Sequence, residues 1–329
     1  MADKIRIGLI GCGGIMNGHV ARLLEIPEAE IVALDDISAE SIARIHERQP
    51  AIKDLPVFED YREMFDKVEL DAVEIATPHT LHFEQGMDAL DRGLHVLMEK
   101  PMVCSVDHAK KMIARAEETS RHIVVSYQRH YQPQFRYMKN VIESGEFGEV
   151  SFISALQTQW WKKGTVGKWR QDPALSGGGQ LNDSGSHLID IILWTTGLAV
   201  DEVCGYIDNR DTLVDINSAL SLKFKNGAQG SMSVVAESTC PFYEDFTIWG
   251  ENGILLYRNG QISFCGTDGK ITQPENLPEG GNPDKNFIDV ILGRDVNWVP
   301  PTCGLRVIEL TEAAWKSAEL GRAVKASSL

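Results

Sequence analysis

Lys100, Asp183 and His187 are the residues of this 329-residue sequence whose types and settings best suit moving charge at a bound oxygen. Asp183 and His187 stand four apart at the head of the apolar run SHLIDIILWTT, so if both are helical they share one face. A neutral imidazole accepts a hydroxyl proton near pH 7, which suits His187 as a general base, with Asp183 orienting the ring or binding an adjacent hydroxyl. Lys100 follows the apolar run HVLM and precedes Pro101, which confines it to extended backbone. At the carboxyl end of a parallel strand, its ammonium would hold a substrate hydroxyl and stabilise the alkoxide that forms as the proton leaves. Such a set could oxidise a carbinol, provided a hydride acceptor lies beside it.

A glycine turn near the start of the chain supplies the setting for one. Gly11-Cys12-Gly13-Gly14-Ile15-Met16 follows the apolar run IRIGLI and opens a helical pattern through His19, Leu23 and Leu24. Gly11 permits a tight turn, Gly13 lets backbone approach a pyrophosphate, and the helix start, with Gly14, Ile15 and Met16, offers N–H donors. Met16 stands where the dinucleotide fingerprint usually has glycine or alanine, so it must pack in a space that is usually smaller. The second apolar run ends IVALDDIS, about 20 residues beyond the turn, where a carboxylate meets the ribose hydroxyls and repels a 2'-phosphate. Asp36 is the better placed of the two aspartates, and NAD is favoured over NADP as cofactor.

The elements that must hold these residues change in kind along the chain. From Lys4 to about Val125, short runs rich in Ile, Val, Leu and Ala alternate with helical patterns, as strands covered on both faces do. This predicts a doubly wound α/β domain over residues 1–126, with Gly93 closing one helix in a left-handed conformation. Beyond residue 148 strands dominate. Asn226-Gly227, the ENG of TIWGENGILLY and Asn259-Gly260 mark three hairpins, so residues 127–329 form an α+β domain around a large, mostly antiparallel, open-faced sheet. A helix over Leu305 to Glu319 closes the chain, the boundary falls near Tyr127 to Gln134, and a substrate would bind between the domains.

A formal net charge of -15 repels phosphate-rich polymers, which argues against a nucleic-acid partner. No apolar run approaches the ~18 residues that cross a bilayer, and no cleavable leader is legible, so no membrane partner and a cytoplasmic location are expected. The six cysteines show no CxxC pair or zinc spacing; they read as reduced thiols, and no metal is expected.

Three motifs then narrow the reading: Ala76-Thr77-Pro78-His79-Thr80-Leu81-His82, then Glu99-Lys100-Pro101, then Gly177-Gly178-Gly179 leading to Asp183-Ser184-Gly185-Ser186-His187. In order and interval they resemble the TPxxxH, EKP and GGG…DxGxH signatures of the Gfo/Idh/MocA family of sugar and cyclitol dehydrogenases. The resemblance extends over essentially the whole chain, including Trp169-Arg170 and Pro301-Thr302-Cys303-Gly304. It implies that Thr77, Pro78 and His79 lie against the nicotinamide half of the cofactor, although His79 replaces the common Asn. It also implies that His82, Glu99 and Pro101 stand near the dinucleotide, and that the second domain forms a homodimer or homotetramer through its sheet. Gln128 and Arg129 are candidates to line the domain junction, Gln128 on the cofactor side.

Trp160, Trp161, Trp169 and Arg170 crowd into one stretch ahead of the His187 helix. Indole faces pack on sugar C–H faces and Arg or Asn groups fork onto hydroxyls, so Trp160, Trp169, Arg170 and Asn182 are expected to bind a polyhydroxylated ring. Two of these tryptophans read equally well as core, and Arg170 could instead meet a substrate phosphate or carboxylate. The expected enzyme is an NAD-dependent dehydrogenase of CH–OH groups. The alternatives are a redox-neutral enzyme that recycles bound NAD, as in epimerisation, elimination or glycoside cleavage, and a catalytically silent NAD-binding regulator.

Overall fold

A computed structural model describes residues 4–326. The chain divides into two compact units: residues up to Val103 with Asp107–Tyr127 and Gly281–Thr302 in one, and Cys104–Val106, Gln128–Gly280 and residues from Cys303 onward in the other.

In the first unit, strands β1 (Ile5–Ile10), β2 (Ala29–Asp35), β3 (Val57–Phe58), β4 (Ala72–Ile75), β5 (His95–Met98) and β6 (Ile123–Val125) alternate with helices. The helices are α1 (Met16–Leu23), α2 (Ala39–Arg48), α3 (Tyr61–Lys67), α4 (His82–Asp91) and α5 (Val106–Thr119). All strand pairs are parallel, in the order β3-β2-β1-β4-β5-β6 of a doubly wound dinucleotide fold. Every residue of β4 and β6 is buried, which is why these strands do not alternate: β6 is an unbroken apolar run and β4 is broken only by the buried Glu74. Gly93 takes φ +73 after α4, the left-handed stop expected there. The helix Pro283–Ile291 returns to this unit and places Phe287 and Ile288, both fully buried, in the core with Leu9, Met16, Val20 and Leu23.

The second unit contains α6 (Pro133–Glu143), β7 (Val150–Gln159), the short α7 (Trp161–Gly164) and α8 (Pro173–Ser176), and α9 (Gly185–Thr196). Strands β8 (Val200–Asp208), β9 (Asn217–Phe224), β10 (Gln229–Val235), β11 (Phe242–Gly250), β12 (Gly253–Arg258), β13 (Gln261–Gly266) and β14 (Ile271–Thr272) follow. The returning helix Pro283–Ile291 is α10; α11 (Pro301–Leu320) and β15 (Val324–Lys325) complete the described chain. The nine-stranded sheet runs β14-β13-β12-β11-β7-β10-β9-β8-β15. Its pairs are antiparallel except β7 with β10. The three expected hairpins join β9 to β10, β11 to β12 and β12 to β13. Gly227 at φ +93 and Gly260 at φ +98 take the positive values that such turns require. Burial alternates along β9, as it must in a sheet covered on one face only.

Candidate active site

The first unit gathers its motifs at one edge, since β1, β4 and β5 are neighbours and parallel and each ends in a motif. At the end of β1, Gly11 has φ +85, and a Cβ there would lie 2.8 Å from the Ala76 carbonyl carbon. Glycine is thus required where the turn passes the end of β4. A Cβ on Gly13 or Gly14 would meet only open space, so these two residues leave a bare backbone concavity at the start of α1. Ile15 is exposed, whereas the Met16 side chain is fully buried in the core and presents only backbone at the helix start. The Asp36 carboxylate is fixed beside this concavity, accepting the Cys12 N–H at 2.7 Å and the Ser38 N–H at 2.7 Å. These residues fit a dinucleotide: a tight turn, an uncovered helix start and a ribose-side acceptor.

Beyond β4, the Thr77 hydroxyl donates to Gln85 at 2.6 Å, Pro78 is half-buried and His79 is buried against the His82 ring. His82 is fully buried, with Nδ1 2.9 Å from the Pro101 carbonyl and Nε2 3.0 Å from the Thr77 carbonyl. Burial lowers its pKa, against the opposing pull of the two carbonyls. His82 therefore ties the turn after β4 to the turn after β5. Lys100 is half-buried, and the Lys100–Pro101 peptide bond is cis. The Lys100 N–H donates to Glu99 Oε2 at 3.1 Å, and Glu99 Oε1 lies 3.3 Å from His19 Nε2. Burial would raise the Glu99 pKa, but the hydrogen bond and charge of His19, with Lys100 nearby, bring it down to about 2.

In the second unit, the glycine stretch is pinned by Asp215, a residue outside every motif read from the sequence. Its carboxylate, fully buried, accepts the Gly179 N–H at 2.8 Å, the Leu181 N–H at 2.7 Å and the Trp315 indole N–H at 3.1 Å. A Cβ on Gly179 would fall 1.9 Å from the Asp215 carbonyl oxygen, so the loop approaches too closely for any other residue. Asp183 lies in the turn before α9 rather than in the helix, because the helix begins only at Gly185. The shared-face argument for Asp183 and His187 therefore does not hold; the turn positions Asp183, and the first turn of α9 positions His187.

Asp183 is buried, and its Oδ2 accepts the Trp161 indole N–H at 2.8 Å and the Arg170 Nε–H at 2.9 Å. The sequence assigns Arg170 to the substrate and gives Trp161, one of its crowd of tryptophans, no site role; the structure brings both onto the Asp183 carboxylate. Arg170 also stacks on Trp169, 4.4 Å from the ring centroid, and Trp160 is exposed beneath the Lys163 ammonium. Asn182 is buried and donates to the Ser176 carbonyl at 3.2 Å. Gln128 is half-buried at the start of a 3-10 turn. Arg129 is committed to the fully buried Glu244 at 2.6 Å.

Residues 5–127 match the profile described as "Oxidoreductase family, NAD-binding Rossmann fold" and residues 135–256 match the "GFO/IDH/MocA C-terminal domain". The chain belongs to the Gfo/Idh/MocA family. Among its relatives is the rhizopine catabolism protein MocA of Rhizobium meliloti, 31% identical over 59% of this chain and 58% of that protein. Another is glucose-6-phosphate 3-dehydrogenase of Bacillus subtilis (strain 168), 33% identical over 57% of this chain and 52% of that protein. These matches span little more than half the length of either relative. A solved structure of the WlbA dehydrogenase from Bordetella pertussis, in complex with NADH and UDP-GlcNAcA, aligns over 98% of both chains at 25% identity, with a TM-score of 0.84. The chain thus carries the NAD-binding Rossmann fold of this oxidoreductase family, and among the described residues no helix is long and apolar enough to cross a membrane.

Proposed function

We propose that this protein oxidises a ring carbinol of a sugar, sugar derivative or inositol, with NAD rather than NADP as cofactor. The observation that carries the reading is the common edge of the first unit. Lys100 follows β5, two strands from the glycine turn that follows β1, so the two stand about 10 Å apart at the carboxyl ends of a parallel sheet. A substrate-binding cation beside a dinucleotide turn suits alcohol oxidation.

A bound nicotinamide supplies the hydride acceptor. Lys100 binds the reacting oxygen and stabilises the charge that develops on it. His187 accepts the hydroxyl proton. Asp183, fixed by Trp161 and Arg170, orients the imidazole or holds the neighbouring hydroxyl. Trp160 and Trp169 pack on the ring. Asn182 acts from behind by holding the turn, and Gln128, Thr77, Pro78 and His79 border the nicotinamide side. The names of the relatives support a sugar-like substrate, and two of them name a phosphate-bearing sugar, glucose 6-phosphate and UDP-GlcNAcA. Nη groups of Arg170, whose Nε is spent on Asp183, would meet such a group. The exposed face of the nine-stranded sheet pairs with a second copy in a homodimer or homotetramer.

The test is NADH absorbance during incubation with myo-inositol, D-glucose, glucose 6-phosphate and UDP-sugars, each with NAD and with NADP. With the best substrate, Lys100→Met and His187→Ala should each lower kcat by about 10²–10⁴-fold while the Kd for NAD changes less than twofold. A wild-type rate in either variant removes that residue from the mechanism. NADH that stays far below product in amount points instead to redox-neutral recycling.

A further inference from the structure

Behind Lys100 lies a buried array that the chemistry above leaves unused. His19, in α1 directly after the glycine turn, is 1% exposed and faces carboxylates at both ring nitrogens. Nε2 is 3.3 Å from Glu99 Oε1, and Nδ1 is 2.8 Å from Oδ1 of the fully buried Asp284, on α10. Glu74 Oε2, on β4, approaches Nδ1 at 3.4 Å, and Arg22 pairs with the other oxygen of Asp284. Burial alone would lower the His19 pKa, but the charge of Asp284 and the hydrogen bonds to Asp284 and Glu99 outweigh it and raise it. The ring can then donate at both nitrogens. Glu99 in turn accepts the Lys100 N–H with its second oxygen. A continuous chain of contacts therefore runs from Asp284 through His19 and Glu99 to the backbone of Lys100.

We propose that His19 is a positioning residue for Lys100, acting through Glu99 and itself held by Asp284. An ammonium must stand within a fraction of an ångström of its target oxygen, and an unfixed Glu99 would let the turn after β5 wander. The reading that Lys100 binds the substrate oxygen underlies this proposal.

Two near-isosteres separate it from a purely structural role. The amide of Gln reaches the place of Nε2 and keeps a donor to Glu99, whereas the amide of Asn reaches the place of Nδ1 and keeps only the donor to Asp284. Amide hydrogen exchange at Lys100, followed by NMR, needs no substrate. Exchange there should quicken about tenfold in His19→Asn and stay within about twofold of wild type in His19→Gln. With myo-inositol, D-glucose or whichever sugar is oxidised fastest, kcat should follow the same order, with KM and the Kd for NAD little changed. Equal Lys100 exchange in both variants, the reverse order, or unchanged kcat in His19→Asn would overturn the proposal. Glu99→Gln, which keeps shape but replaces the charge, should behave as His19→Asn does, and serves if His19→Asn does not fold. A wild-type rate in Lys100→Met would overturn the proposed function instead, while leaving the exchange result standing as a fact of the turn.

Discussion

Asp36 receives two backbone N–H groups, from Cys12 and Ser38, which fix its carboxylate against the rim of the glycine turn. A 2'-phosphate brought there would meet a fixed carboxylate, and a plain ribose would meet an acceptor. Asp36→Ala should therefore weaken NAD and relieve NADP, shifting the ratio of kcat/KM values toward NADP by about tenfold or more. Coenzyme kinetics measure this directly, and an unchanged ratio would place the ribose carboxylate elsewhere. The position of Asp36 beside the turn was legible because strand, glycine turn and acidic residue come at a fixed interval. The partners of Asp183 were not: Trp161 stands 22 positions away and was one of several tryptophans in a loop, none marked by periodicity.

The loop from Gly177 to Asp183 owes its path to a residue on a different segment. Asp215 is buried, and desolvation raises its pKa even though the N–H groups of Leu181, Gly179 and Trp315 and its own backbone oppose that shift. Removing it strands those donors in the interior, where each unsatisfied polar group costs about 1–3 kcal/mol. Asp215→Ala should lower stability by about 3 kcal/mol or more in urea titrations and reduce turnover, because the turn carrying Asp183 loses its anchor. A variant of wild-type stability and rate would show that the glycines shape the loop unaided. The GGG stretch was visible as a motif, but the physical reason for Gly179, backbone pressed against Asp215 from 36 positions downstream, leaves no local trace. Strands and hairpins were readable for the opposite reason. Alternation, Asn-Gly tips and apolar runs are local consequences of burial, although the parallel β7–β10 pair at the centre of an otherwise antiparallel sheet could not be read from turns.

The first unit is not one stretch of chain. α10 returns to it after eight of the nine strands of the second sheet, bringing Phe287 and Ile288 into its core and Asp284 to His19. Burial of each such large apolar side chain is worth about 1.5–3 kcal/mol, and losing Asp284 also strips the buried His19 of one of its carboxylate partners. Residues 1–127 expressed alone should then show no cooperative thermal transition, while the same segment joined by a flexible linker to residues 281–302 should melt cooperatively and bind NAD. Circular dichroism decides it, and a cooperative melt of the shorter piece would show that α10 is dispensable to this core. Nothing in a nine-residue amphipathic helix tells which core it serves, so this return was invisible in sequence.

Synthesis proceeds from one end only, and the returning helix sets a schedule for it. A ribosome adding about 5–20 residues per second needs roughly 10–30 s to pass from residue 127 to residue 284. Through that interval the nascent dinucleotide domain carries an open apolar groove and a His19 that still lacks Asp284, an opportunity for chaperones and a hazard without them.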